Sequence, residues 1–145
     1  SRGCIGMAET AVSKIIFELV TPTLLAVSEE VDMVVVPGVE GDFGVLRGHT
    51  PLLTTIRPGV VDIYVSEEVV KSLFIEGGFA EVNAQGCTVL AEDAKDVVDI
   101  SLEVAEKRLE EAKAAFKDSD SPSMHKEIKV AEAMLIAVSN VSTKH

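Results

Sequence analysis

The chain has 145 residues, 47% hydrophobic and 26% charged, with 24 acids against 13 bases. That length and balance describe one compact domain, or one with a small appendage, and exclude collagen-like and disordered classes. A net charge of −11 repels phosphate backbones, one Tyr, five Phe and no Trp offer few stacking platforms, and no apolar run approaches the ~18 residues of a membrane span; nucleic acid and a spanning helix are set aside.

Residues 1–13 read as a flexible N-terminus. Within it residues 1–6, ahead of Met7, have neither an apolar core nor a charged targeting pattern, and are expected to be a tag remnant. Cys4 and Cys87 are too few for a disulfide framework, so a reduced, cytoplasmic setting is expected.

From Lys14 to Ala94 short apolar runs alternate with turn residues. Runs at 15–20, 31–36, 52–56, 60–65, 69–76, 79–83 and 87–91 are punctuated by Pro22, by Pro37 and Gly38, by Arg57, Pro58 and Gly59, by Ser66 and Glu67, by Gly77 and Gly78, and by Gly86. Runs this short, rich in Val and Ile and regularly interrupted, predict an all-β sandwich over residues 14–98. Val61, Ile63 and Val65 alternate with Asp62 and Tyr64, as in a sheet with one wet face. Gly38, Gly41 and Gly44 are spaced like a phosphate cradle. The segment leads into more strand rather than a helix, however, and Glu40 and Asp42 repel an anion. They are therefore read as turn glycines needing positive φ.

After Asp99 the period changes. Leu102, Ala105, Leu109, Ala112 and Phe116 form one apolar stripe; Ile128, Ala131, Leu135 and Val138, widened by Val130, Met134 and Val141, form another. The polar break at 118–123 ends in Ser121 and Pro122, an N-cap followed by Pro at the first helical position. Residues 99–145 are thus expected to be an antiparallel helix hairpin, with Ala105, Ala112 and Ala131 allowing close approach. The second helix has more apolar surface than one helix can cover, so it rests on the sandwich or on another subunit. The boundary coincides with a change in charge: residues 1–99 carry 16 acids and 6 bases, residues 100–145 carry 8 and 7.

Sites for chemistry are sparse. His49, His125 and His145 lack metal-ligand spacing, Cys87 has no close His, and no Ser-His-Asp or Cys-His set is present. No catalytic residue, metal or cofactor is expected.

The stretch VVVPGVEGDFGVLRGHTPLL (34–53), with TIRPGVVDI (55–63), IEGGFAEV (75–82) and TVLAEDA (88–94), resembles the epsilon subunit of bacterial F-type ATP synthases, called delta in mitochondria. The resemblance runs from about Ile15 to the end of the second helix and implies a sandwich of about ten strands with a C-terminal helix hairpin. It implies a non-catalytic subunit at the foot of the rotating central stalk, peripheral on the cytoplasmic face of the bacterial inner membrane. The sandwich would bind the gamma subunit and the polar loops of the c-ring. The helices would fold down or extend toward the alpha and beta subunits of the catalytic head, inhibiting ATP hydrolysis. Carried over position by position, the c-ring contact falls on residues 40–49, with Glu40, Asp42, Arg47 and His49; Arg47 stands where many members have proline. Gly77 and Gly78 match a family turn and are given a structural role.

Some members bind ATP through Ile/Leu-Asp-x-x-Arg-Ala. The matching residues are Ile100, Ser101, Val104 and Ala105, with serine for the acid and valine for the arginine. The second helix offers only Lys126, Lys129 and Lys144. Without a guanidinium clamp, ATP binding is expected to be weak or absent. The near-neutral hairpin likewise predicts inhibition that is weaker, or carried by the apolar Leu135, Ile136 and Val138. Two other readings compete. A free-standing sandwich that binds a ligand predicts an aromatic-lined groove, which the composition argues against. An enzyme pairing Asp42 with His49 rests on their proximity in sequence alone.

Overall fold

The computed structural model describes residues 14–22, 25–118 and 121–143, with side chains placed except at 25–27 and 141–143. The expectations for residues 1–13, Cys4 among them, for Lys144 and His145, and for the Val141 side chain lie outside the described residues.

Ten strands precede two helices: β1 (Ile15–Val20), β2 (Leu25–Val31), β3 (Met33–Gly38), β4 (Gly41–Val45), β5 (Leu52–Ile56), β6 (Gly59–Val65), β7 (Glu68–Ile75), β8 (Gly78–Asn83), β9 (Gly86–Ala91) and β10 (Ala94–Asp96). A 3-10 turn (Val97–Asp99) then leads to α1 (Leu102–Asp118) and α2 (Pro122–Thr143). The strands run in the order β10-β7-β6-β3-β5-β8-β9-β1-β2, with β4 on the free side of β3. The β3–β5 join is a single pair, Gly38 with Ile56. There the sheet folds on itself, and the inward residues of both halves, among them Phe17, Leu19, Val36, Ile63, Ile75 and Val89, form one core.

Pro37 was expected to end a strand; it lies inside β3, opposite Asp42. β3 pairs with β6 through Val35 and with β5 only at Gly38. Pro37 occupies the gap between these ladders, where no N–H is required, and its carbonyl accepts from Arg57 N at 3.0 Å. The expected run at 31–36 is broken at Asp32, whose N–H donates to Tyr64 O at 2.9 Å and whose carboxylate accepts from Ser66 N at 2.5 Å. Ser66 and Glu67 form the two-residue β6–β7 turn with φ of 54° and 68°. A turn of that shape favours Asn-Gly, and the Asp32 carboxylate holds the less suited pair in place. Of the three spaced glycines only Gly41 has positive φ. Gly38 is needed instead for close approach, since a Cβ there would meet Gly41 O at 2.9 Å, and Gly44 meets neither condition.

α1 is capped by Ser101, whose Oγ accepts from Val104 N at 3.1 Å. α2 is capped by Ser121, whose Oγ accepts from Met124 N at 3.3 Å, with Pro122 first in the helix as expected. Ala105, Ala112 and Ala131 are buried, whereas Leu102, the first residue of the expected stripe, is exposed. The surplus apolar surface of α2 is covered by the sandwich: Val130, Met134, Ala137 and Val138 share a second core with Phe74 of β7 and Val97. The hairpin is therefore folded down.

Two outcomes follow for stability. Gly78 has φ of 147° and a Cβ there would fall 2.0 Å from Leu90 O, so Gly78→Ala is expected to destabilise by about 3 kcal/mol or more. Gly44→Ala, which meets only Met33 Sδ at 3.5 Å, should stay within about 1 kcal/mol; urea melts of both variants check the contrast. Hydrogen bonding from Ser66 N and Lys14 holds the Asp32 carboxyl below its ordinary 3.8, so its contribution is full above that value and lost as pH falls through the lower folded value. Asp32→Asn should cost about 0.5–1 kcal/mol at pH 7, with the difference from the parent chain fading in urea melts below pH 3.8.

Candidate functional site

The residues expected to form one partner loop are set at the two ends of β4. Glu40 and Asp42 belong to the β3–β4 hairpin, where Asp42 pairs with Arg57 Nη2 at 2.5 Å and Arg57 Nη1 donates to Gly38 O at 2.9 Å. Asp42 and Arg57 line a cleft whose opposite wall is α2, with Lys129, Glu132 and Ile136. Arg47 and His49 lie past the far end of β4, which at ~3.4 Å per residue is about 14 Å long. There Arg47 Nη1 donates to Lys14 O at 3.3 Å, Gly48 N to Ala84 O at 2.9 Å, and His49 Nδ1 to Thr50 O at 2.6 Å. β4 pairs only with β3, so these groups flank a free sheet edge. The His49 ring folds back to 6.4 Å from the ring of Phe43, but Asp42 is paired with Arg57 and His49 Nδ1 with Thr50 O, so Asp42 and His49 do not form an acid–base pair. That removes the enzymatic reading built on them.

The degenerate nucleotide segment is occupied structurally. Ile100 and Ala105 are buried in the second core, the Ser101 hydroxyl is engaged as the α1 cap, and Val104 is 59% exposed. Of the three α2 residues expected to act together, Val138 is buried in the second core and Leu135 packs half-buried against it, whereas Ile136 is 61% exposed. Adjacent helical positions are about 100° apart, so Leu135 and Ile136 share no single face.

Sequence reasoning missed the charge cluster beneath the hairpin. Arg108 of α1 donates through Nη1 and Nη2 to Glu76 at 3.0 and 3.1 Å, and through Nε and Nη2 to Glu127 of α2 at 2.8 and 3.1 Å. The Arg108 hydrogen bonds hold the Glu76 carboxyl below its ordinary 4.5, and Glu127 and Glu76 in turn push the guanidinium up. Nearby, Lys126 reaches Glu92 at 3.1 Å on the surface. The signal was present in the spacing: Arg108 lies three residues after Ala105 and four before Ala112, on the buried stripe itself. Burial pushes the Cys87 thiol up to about 12, so it is no nucleophile at neutral pH. Among the described residues no cluster of His, Cys, Asp or Glu could hold a metal ion, and no helix is long and apolar enough to cross a membrane.

Comparison with known proteins accounts for this architecture. Residues 14–97 match the family described as ATP synthase, Delta/Epsilon chain, beta-sandwich domain. An ATP synthase epsilon chain of Paramagnetospirillum magneticum is 54% identical over 129 residues, covering 86% of this chain and 97% of the relative. One from Rhodospirillum rubrum is 45% identical over 135 residues, covering 90% and 98%. The same fold occurs in a cryo-EM structure of the Euglena gracilis mitochondrial ATP synthase (OSCP/F1/c-ring, rotational state 1), with a TM-score of 0.73 at 24% identity over 89% of this chain and 81% of that one. The sandwich match and 45–54% identity over most of the chain lead to one conclusion: the chain belongs to the family of ATP synthase epsilon chains, structural and regulatory subunits without a catalytic site of their own.

Proposed function

We propose that this chain is the foot of the central stalk of an F-type ATP synthase, peripheral on the cytoplasmic face of a bacterial inner membrane. The sandwich joins the gamma subunit to the c-ring, and the hairpin regulates ATP hydrolysis through transient contact with the alpha and beta subunits.

The observation that carries the reading is the outer face of the β5-β8-β9-β1-β2 half. Thr55, Phe79, Leu90 and Val20 form one row across four paired strands. Phe79, Leu90, Leu53 and Ile16 on that face are 46–72% exposed. Glu18 and Glu81 lie in the neighbouring row, and these five strands contain no Lys or Arg. A contiguous apolar patch whose own strands carry carboxylates and no base, with Lys126 and Lys129 of α2 across the cleft at its Phe79 end, suits a protein surface bearing apolar and basic side chains; gamma is the partner assigned to it. The free edge of β4, with Glu40, Asp42, Arg47 and His49 at its ends, is assigned to the c-ring. ATP binding is weak or absent in this reading, because valine stands where a guanidinium would clamp the phosphates. The hairpin carries too little net charge for strong electrostatic inhibition.

Co-purification of the full chain with gamma tests the docking role. A stoichiometric complex is expected, weakened at least tenfold by Phe79→Glu with Leu90→Glu, since each buries an unpaired charge at the interface. A chain that stays alone would favour the free-standing ligand-binding module. In the reassembled complex, truncation after Asp99 should raise hydrolysis only modestly; a large release that salt abolishes would contradict the weak-inhibition reading. For the nucleotide, calorimetry at millimolar ATP should give no saturable heat, and a clear one-to-one isotherm would overturn that part.

A further inference from the structure

The hairpin rests on the sandwich over a narrow footprint. The strands contribute Phe74 and, at the margin, Val60; the connection contributes Val97 and Ile100; α2 contributes Val130, Met134, Ala137 and Val138. Two clefts undercut this line. One, of about 670 Å³, lies between the β5–β6 and β7–β8 turns and the first turns of α2. The other, of about 440 Å³, lies between β6, the β3–β4 hairpin and the later turns of α2. Pro58 and Lys129 line both, so α2 bridges a gap on either side of its apolar ridge. α1 places one residue, Ala105, in that core.

Arg108 is the side chain that ties all three parts together. One pair of its N–H groups grips both oxygens of Glu76, beside the Gly77 turn, and Nε with Nη2 grips both oxygens of Glu127 on α2. The planar guanidinium suits two forked contacts at once, which an ammonium cannot reproduce. The connection to the sandwich is short and partly extended, with Ile100 at φ −99° and ψ 123°, so a pivot there would break no strand pairing.

We propose that Arg108 is the pin of an ionic clasp that sets whether the helix hairpin lies on the sandwich, with Glu76 as its catch and Glu127 holding the pin in line. The clasp acts on position rather than on folding. Partly exposed ion pairs add little net stability but fix geometry, and over a narrow footprint a small change in contact energy shifts the population visibly. Release at Glu76 leaves only the exposed Lys126–Glu92 pair and the apolar ridge to hold the hairpin on the sandwich, whereas the bond to Glu127 stays within the hairpin. The clasp is a property of the isolated chain and stands apart from the partners proposed above.

The test is a spin-label distance measurement on the full chain, with Glu81→Cys on the sandwich and Lys113→Cys on α1 in a Cys4→Ser background. The parent chain should show one narrow distance. Arg108→Met and Glu76→Gln should each raise the detached fraction about fivefold, Arg108→Lys less, and Glu127→Gln less than Glu76→Gln. Hydrogen exchange in β1, β6 and β9 should match the parent in every variant. Parent-like distances in both Arg108→Met and Glu76→Gln would overturn the clasp. So would loss of strand protection alongside the hairpin in Glu76→Gln, since the cluster would then hold the whole fold.

Discussion

The arrangement of this molecule turns on strand β7, where Leu73, Phe74 and Ile75 are all buried although neighbours in a strand point to opposite faces. Leu73 and Ile75 enter the core between the two sheet halves; Phe74 points the other way. A sandwich alone would leave that ring in water, and burying it contributes about 1.5–3 kcal/mol. α2 covers it with Val130, Met134, Ala137 and Val138, which is where its apolar surplus goes. One outward phenylalanine thus decides which face of the sandwich the hairpin covers. It also brings α1 and α2 to the end of β7 where Glu76 and the Gly77 turn lie.

The strands that sequence patterning located and those it missed differ in one physical respect. β1 and β5 to β9 were legible because each is flanked on both sides by other strands, so apolar alternation and β-branched residues mark them. β2, β4 and β10 were not, and these are the three edges of the sheet. β4 reads GDFGV, β10 reads AKD, and β2 ends in exposed Ser28, Glu29 and Glu30. Polar and glycine-rich composition protects an edge from pairing with other chains, and it is the same composition that marks a loop. Pairing with a neighbour, which no local signal reports, makes these segments strands.

The candidate site was legible to the same degree and for a related reason. Glu40, Asp42 and Arg47 are exposed and His49 is half-buried, and their placement on either side of β4 depends on that missed edge strand. The charge boundary near Asp99 also has a finer structure than a sum reveals. The strands β1, β2, β5, β8 and β9 hold four glutamates and no base; Lys71 of β7 reaches across to one of them, Glu29, while Arg57 pairs with Asp42 and Lys95 stands near Glu76. Glu18 and Glu81 thereby stand beside Phe79 and Leu90 on an outer face whose strands supply no base of their own, a local asymmetry that net charge alone conceals.

The position of Arg108 shows why an ion cluster, and not more hydrocarbon, joins α1 to the rest. The fully buried positions of α1 are alanines, Ala105 and Ala112, which permit close helix approach but bury little area, so they do little to orient the hairpin about the ridge of α2. A larger apolar residue at 108 would add contact in any orientation, because hydrophobic attraction is not directional. A guanidinium forked between two carboxylates is satisfied in one geometry only, and where it is partly exposed it adds little to overall stability. The hairpin is consequently held by one set of contacts and oriented by another. Those two properties are separable because the apolar ridge supplies the contact and the charge cluster supplies its direction.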